Sequence, residues 1–85
     1  MAYAIELRPA ARRDLKNLPP DVQKRIGRKI DSLADDPRPP GVEKLSGGED
    51  DYRVRVGDYR ILYKIQDEVL LIVIVRVKHR REAYR

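Results

Sequence analysis

The first half of the chain passes from an alternating to a helical pattern of apolar residues. The segment AYAIEL alternates apolar and polar positions, which predicts a short strand. Two helical segments follow, PAARRDLKNL and DVQKRIGRKIDSLADD, and each carries an apolar stripe at helical spacing. The first helix must end at the LPP sequence between them, because proline disfavours helical geometry in the residue before it. The pattern predicts a strand followed by a helical hairpin.

The second half predicts three strands after an irregular connector. The connector, DPRPPGVEKLSGGED, is rich in proline and glycine, which is typical of a surface loop. Alternation in DYRVRVGDYRILYK, with Gly57-Asp58 at its centre, predicts a hairpin with a type II′ turn. The last strand, EVLLIVIVRV, is apolar at nearly every position, which indicates burial on both faces or a central place in the sheet. We therefore expect a single α+β domain over residues 1–85, of order β-α-α-β-β-β, with the helical hairpin on one face of a small, mainly antiparallel four-stranded sheet.

Counting outward from the Gly57-Asp58 turn gives the cross-strand pairs of the hairpin. The pairs are Val56 with Tyr59, Arg55 with Arg60, Val54 with Ile61, Arg53 with Leu62, and Tyr52 with Tyr63. Alternation then leaves one apolar face, and the opposite face carries Arg53, Arg55, Arg60, Leu62 and Lys64. Like charges directly opposite each other destabilise a sheet, as Arg55 and Arg60 would. This conflict favours a cationic platform for an anion such as phosphate, although arginines that extend into water are the alternative.

Charge and amino-acid composition limit the partners and cofactors that the chain is expected to bind. The chain has 19 Lys and Arg against 14 Asp and Glu, a formal net charge of +5, and its basic excess lies after Tyr52. Such a surface fits nucleic acid, an anionic membrane surface or an acidic protein, and a merely well-solvated surface is the alternative. There is no cysteine, and neither a metal-ligand cluster nor a Ser-His-Asp set is evident, so we expect no cofactor. The sequence begins without a signal-peptide pattern, and its longest apolar run is too short to cross a bilayer, so a cytoplasmic location is expected.

The basic tail adds candidates for charge stabilisation and proton transfer. The last strand should end near the Gly57 turn and bring the tail towards Arg55 and Arg60; this tail contains Lys78, His79, Arg80, Arg81, Tyr84 and Arg85. Metal-free RNA cleavage is one reaction that such groups allow, since arginine stabilises a charged phosphorane. His79 is the easiest proton acceptor near neutral pH. Tyr84 could stack on a base or transfer a proton.

Several motifs together resemble the RelE toxins of the RelE/ParE superfamily. They are AIELRPAARRDLKNLPPDVQKRI, KLSG, DYRVRVGDYRILYKI and VKHRREAYR, and they cover nearly the whole chain. The resemblance implies a toxin that cuts mRNA in the ribosomal A site by metal-free attack of the 2′-OH, and so inhibits translation. It also implies a cognate antitoxin, a small protein with an acidic or amphipathic C-terminal segment.

The resemblance places catalytic residues at Arg53, Arg55, Arg60, Arg80 (or Arg81) and Tyr84. It also leaves Lys44, Lys64, Lys78, Arg81 and Arg85 as expected contacts to RNA or the ribosome. The chain departs from the family pattern, because arginine replaces lysine at 53 and 55 and the arginine-to-tyrosine spacing in the tail is shorter. Arginine accepts protons poorly, so the general base is left to Tyr84 or His79. Two other functions stay open: a ParE-type DNA gyrase poison on the same fold, and a non-enzymatic basic domain that binds RNA or a partner.

Overall fold

A five-stranded sheet organises the protein in a computed structural model that describes residues 2–45 and 51–83. The elements are β1 (Ala4–Leu7), α1 (Pro9–Lys16), α2 (Pro20–Asp35), β2 (Glu43–Lys44), β3 (Asp51–Val56), β4 (Tyr59–Gln66), β5 (Leu71–His79) and α3 (Arg80–Ala83), with a 3-10 turn at Asp67–Val69. The strand order is β1-β5-β4-β3-β2, in which β1 runs parallel to β5 and the other neighbours are antiparallel. The predicted α+β class and the order of its main elements are confirmed.

The connector contains a short strand that the pattern does not predict. β2 pairs with β3, placing Glu43 opposite Arg53 and Lys44 opposite Tyr52. The expectations of four strands and of a fully irregular connector are therefore wrong. Two residues are too few for alternation to be visible, and the surrounding prolines and glycines indicate a loop. The SGGED part of the connector, expected to turn, lies outside the described residues.

The helices pack on one face of the sheet and create the core there. On α2, Ile26, Ile30 and Leu33 are buried, as the apolar stripe predicts. They share one cluster with sheet residues such as Ile61 and Ile72. Burying one such side chain contributes about 1.5–3 kcal/mol, so this face accounts for much of the stability of a small fold. We call the opposite face of the sheet, on which these helices do not pack, the outer face.

β5 is an interior strand of the sheet. It lies between β1 and β4, and Ile72, Val73 and Ile74 are all buried although successive side chains point to opposite faces. Of the two predictions for this strand, burial on both faces is confirmed. A register shift between Leu62 and Tyr63 moves the pairing of β4 with β5 by one residue. The side chains at the end of β5 therefore point to the opposite faces from those that simple alternation along the strand would predict.

Polar ties fasten the end of the sheet that lies away from the Gly57 turn. The Tyr63 hydroxyl donates to the Pro37 carbonyl at 2.7 Å, which holds the connector against β4. Arg38 forms an ion pair with Asp67 at 2.8 Å, and the Tyr3 hydroxyl donates to the same carboxylate at 2.6 Å. In the ranges 2–45 and 51–83, no helix has both the length and the apolar character needed to span a membrane.

Candidate functional site

The β3–β4 hairpin has the geometry that its sequence predicts. Gly57 adopts a φ of 59°, and Asp58 is not among the residues with positive φ, as a type II′ turn requires. All five predicted cross-strand pairs are present, including Arg55 opposite Arg60. Val54, Ile61 and their neighbours of the same alternation belong to the core under the helices. The arginines of the hairpin therefore share the outer face, as expected.

β5 extends this arrangement into a row of three cations. Its register puts Lys78 opposite Arg60, which is itself opposite Arg55. We call these three residues, Arg55, Arg60 and Lys78, the cationic row. Like charges on adjacent strands repel, by a few tenths to about 1 kcal/mol for each pair. The row therefore concentrates positive charge at a cost in stability, and an anion bound across it would relieve that cost.

Arg60 is more buried than an open platform would suggest. Only 6% of the residue is exposed, and its Nη1 donates to the Tyr59 carbonyl at 3.3 Å. Arg55 is exposed and Lys78 is half-buried, so the flanking cations are the accessible members of the row. A charge that is shielded from water acts more strongly on an anion near it than an exposed one does. The sequence could not reveal this burial, because it depends on the register of β5.

The other two cations on the outer face of the hairpin, Arg53 and Lys64, are paired with carboxylates. Arg53 forms an ion pair with Glu43 of β2, which lowers the pKa of Glu43. Lys64 forms an ion pair with Asp51 across β3 and β4 at 2.6 Å. Among the described residues, no ion pair involves Arg55 or Lys78. The ion pairs found on the outer face of the described residues thus lie away from the Gly57 turn.

Asp14 of α1 is a residue that sequence reasoning missed. Its carboxylate accepts bonds from Arg76 Nε at 2.8 Å, from Arg76 Nη2 at 3.1 Å, and from the Val77 amide at 2.9 Å. Burial alone would raise the pKa of Asp14, but these donors outweigh burial and the pKa is lowered. β1 stops opposite Ile74, so Asp14 takes the place of a strand partner for the next part of β5. No sequence signal connects Asp14 with Arg76, since 62 residues separate them.

The tail meets the hairpin turn, as expected, but its residues divide between the two sides of the sheet. The Arg80 amide, at the start of α3, donates to the Asp58 carbonyl at 2.7 Å. His79 pairs with Tyr59 and their rings meet edge to face at 5.3 Å, so His79 lies on the helix-facing side, away from Arg60. His79 is thus a neighbour of Arg60 along the sheet, as expected, but the shifted register of β5 puts its side chain on the other face.

The remaining predicted residues occupy varied positions. Lys44 pairs with Tyr52 and so follows the helix-facing alternation, and Arg81 is exposed on α3. Tyr84 and Arg85 lie outside the described residues. In the ranges 2–45 and 51–83, no group of three or more His, Asp or Glu side chains is placed to hold a metal ion. The catalytic and binding roles of all these residues stay predictions.

Comparison with known proteins identifies the family. The family model described as "ParE toxin of type II toxin-antitoxin system, parDE" matches residues 5–84. Toxin RelG of Mycobacterium tuberculosis is 35% identical over 86 residues, covering 100% of this chain and 99% of that protein. The toxin–antitoxin complex RelBE2 of the same organism matches with a TM-score of 0.82 at 34% identity, covering 94% of this chain and 100% of that one. The RelE–RelB complex of Pyrococcus horikoshii matches with a TM-score of 0.83 at 32% identity, covering 94% and 97%.

The match extends over almost the entire chain, and sequence and structure agree on it. Relatives named RelE and a family model named ParE both place the chain in one superfamily, as the resemblance of the motifs predicts. The hairpin with its cationic row lies inside the matched region. The chain belongs to the ParE toxin family and is a RelE-like toxin of a type II toxin–antitoxin system.

Proposed function

We propose that this toxin is a ribosome-dependent endoribonuclease that cuts mRNA in the A site without a metal ion. The cationic row is the observation that carries the proposal, because three neighbouring strands contribute one cation each to the same line. A structural role would favour threonine or an opposite charge at one of these positions. Phosphate is the anion that guanidinium groups recognise well, through two parallel hydrogen bonds.

The reaction needs alignment and charge stabilisation more than covalent chemistry from the protein. The 2′-oxygen of a ribose attacks the adjacent phosphorus, and the bond from phosphorus to the 5′-oxygen of the next nucleotide breaks. The 2′-hydroxyl proton passes to a base, and an acid protonates the 5′-oxygen. The products are a 2′,3′-cyclic phosphate and a 5′-hydroxyl end. Negative charge builds on the phosphorane, and the nearly buried Arg60 is suited to stabilise it.

Proton transfer is assigned to the tail. Arginine holds its proton too firmly to act as a base, so the row itself supplies charge stabilisation only. Tyr84 follows α3, whose first residue is tied to the turn beside the row. We propose Tyr84 as the group that stacks on a base or transfers a proton. His79 is the weaker candidate, since its ring contacts Tyr59 on the helix-facing side.

We also propose that a cognate antitoxin neutralises the toxin. The related RelE proteins of Mycobacterium tuberculosis and Pyrococcus horikoshii are found in complexes with antitoxins. An acidic segment would complement the cations at the Gly57 end of this chain. Such a partner would compete with RNA for the same charges.

Cell-free translation tests the proposal directly. Wild-type protein should produce mRNA 5′ ends within the A-site codon of stalled ribosomes. These ends should appear when the mRNA is translated and be absent when ribosomes are left out. Arg60→Ala and Arg80→Ala should each reduce this cleavage by at least about tenfold, which corresponds to about 1.4 kcal/mol of lost transition-state stabilisation. Lys29→Ala removes a cation from α2 and serves as the control for net charge. A folded Arg60→Ala/Arg80→Ala double variant that cleaves like wild type would contradict the site.

Inhibition of DNA gyrase is the second candidate, because the matching family model carries the ParE name. A supercoiling assay with purified gyrase separates the two functions. Intact mRNA together with inhibited gyrase would replace the nuclease proposal. Cut mRNA with unaffected gyrase would support it.

A further inference from the structure

Arg25 of α2 reaches the hairpin turn and packs against Gly57. A Cβ atom added to Gly57 would lie 2.8 Å from Nη2 of Arg25 and 3.7 Å from its Cζ. The guanidinium therefore occupies the space that any other residue at position 57 would fill. Gly57 serves the site twice, since it also adopts the positive φ of 59° that the turn requires. Neither the helical stripe nor the hairpin pattern indicates this contact.

Two further arginines are anchored at the same two-residue turn, Arg55 through its guanidinium and Arg80 through its backbone amide. Arg55 Nε donates to the Gly57 carbonyl at 3.0 Å, and the Arg80 amide donates to the Asp58 carbonyl at 2.7 Å. We call Arg25, Arg55 and Arg80 the turn cluster; they come from α2, β3 and α3 respectively. The carboxylate of Asp58 is the acidic group of the turn itself, and it is exposed.

The turn cluster is not neutralised by ion pairs inside the part of the chain that the structure describes. The ion pairs found there involve Arg38, Arg53, Lys64 and Arg76, and none involves a member of the cluster. The guanidinium groups of Arg25 and Arg55 both lie at Gly57, and they repel one another unless an anion binds between them. The contact with Gly57 also limits the positions that the long Arg25 side chain can take. Binding would therefore cost less side-chain entropy than for an unrestrained arginine.

We propose that Arg25 binds an RNA phosphate that neighbours the phosphate on the cationic row. Arg55 belongs to both the cationic row and the turn cluster, so the two phosphates would be held side by side along one strand of RNA. The choice of RNA as the ligand rests on the proposed function. In this arrangement Arg25 holds the strand in register, while the row faces the phosphate that reacts. Arg25 is therefore a positioning residue, whose loss weakens RNA binding more than it slows the chemical step.

The salt dependence of RNA binding tests this role. The probe is a single-stranded 2′-O-methyl oligonucleotide, which cannot be cleaved, and its affinity is measured by fluorescence anisotropy over a NaCl series. Each phosphate contact to a single strand contributes about 0.7 to the slope of log K against log salt concentration. Arg25→Gln should lower the slope by roughly that amount. Arg25→Lys retains the charge and should restore most of the slope.

Two variants separate a specific contact from general charge. Arg28→Gln removes an equal charge from the same helix at another exposed position and should leave the slope unchanged. Gly57→Ala introduces the Cβ that displaces the Arg25 guanidinium, so it should lower the slope in wild type and not in the Arg25→Gln background. Urea denaturation confirms that each variant is folded, since a residue with positive φ other than glycine strains the turn.

The binding measurement tests the role of Arg25, and the cleavage assay tests the proposed nuclease function, so either claim can fail alone. Equal slopes for wild type and Arg25→Gln, or equal losses for Arg25→Gln and Arg28→Gln, would overturn it. Because the oligonucleotide cannot react, this readout does not depend on catalysis. Absence of mRNA cleavage by wild-type protein would instead contradict the nuclease proposal. In steady-state cleavage, Arg25→Gln should raise KM several-fold and leave kcat nearly unchanged.

Discussion

At the residue scale, Asp14 shows how one carboxylate supports the strand that carries the tail. Its carboxylate accepts hydrogen bonds from both the Val77 amide and the Arg76 guanidinium. Lys78 and Arg80 follow directly along the chain. The position of two proposed RNA contacts thus depends on a side chain that touches neither of them. A charged hydrogen bond of this kind contributes about 1.5–3 kcal/mol, more than a neutral one.

Replacing Asp14 with Asn should reveal this contribution through pH. The donors around Asp14 lower its pKa in the folded protein below the ordinary 3.8, so its stabilising effect is fully present above that value. It is lost as the pH falls through the lowered pKa, because a protonated Asp14 no longer attracts Arg76. Asp14→Asn should therefore be less stable than wild type by about 1–2 kcal/mol at pH 7, with a difference that closes below about pH 4.

Urea denaturation at a series of pH values measures this difference. Asp31→Asn is the control, since Asp31 is exposed and its loss should change stability by less than about 0.5 kcal/mol. A stability difference between wild type and Asp14→Asn that stays constant from pH 7 to pH 3 would show that the Asp14 charge has no part in it.

At the scale of the elements, the outer face of the sheet carries one lysine that is paired with a carboxylate and one that lies beside another cation. Lys64 pairs with Asp51, whereas Lys78 lies beside Arg60 and has no ion pair among the described residues. Both lysines belong to neighbouring strands and both are half-buried. Their surroundings should therefore give opposite results when each is replaced by the same residue.

Lys78→Thr should stabilise the protein although it removes a predicted RNA contact. Threonine suits a strand, and its introduction ends the repulsion with Arg60, so we expect a gain of a few tenths to about 1 kcal/mol at low salt. Lys64→Thr breaks an ion pair and should give no gain. Thermal denaturation at low and high NaCl checks both, and the gain of Lys78→Thr should shrink as salt screens the repulsion. A loss of stability in Lys78→Thr at low salt would contradict repulsion in the row.

Features of the fold that depend on local sequence were predictable, and features that depend on distant contacts were not. Turn chemistry and alternation are local, so the Gly57 turn, its five pairs and the shared face of Arg53, Arg55 and Arg60 follow from the sequence. Contacts that depend on an irregularity or on a distant element do not. The side of the sheet on which His79 lies depends on the shifted register of β5. Arg25 and Asp14 contact residues that are distant in sequence, which no local pattern indicates.

At the scale of the whole molecule, charge is distributed between the two ends of the sheet. At the β4–β5 end, Arg38 and Tyr3 converge on Asp67, which lowers the pKa of Asp67 and raises that of Arg38. At the Gly57 end, Arg25, Arg55, Lys78 and Arg80 form no ion pair among the described residues, and Arg60 lies between Arg55 and Lys78. With a net charge of +5, such an arrangement directs an approaching polyanion to one end of the molecule.

Binding of inorganic phosphate should therefore stabilise the whole fold through this one end. A ligand present at ten times its Kd adds about 1.4 kcal/mol to the free energy of unfolding when it binds only the folded state. For a domain of this size, each kcal/mol raises Tm by about 4–8 °C.

Phosphate replacing chloride at constant ionic strength should thus raise the Tm of wild type by several degrees. Arg55→Ala/Lys78→Ala should retain only the general effect of phosphate on protein stability, because it keeps the fold and loses the accessible cations of the row. Equal Tm shifts in the two proteins would mean that phosphate does not recognise the row, and the case for an RNA phosphate there would fail with it.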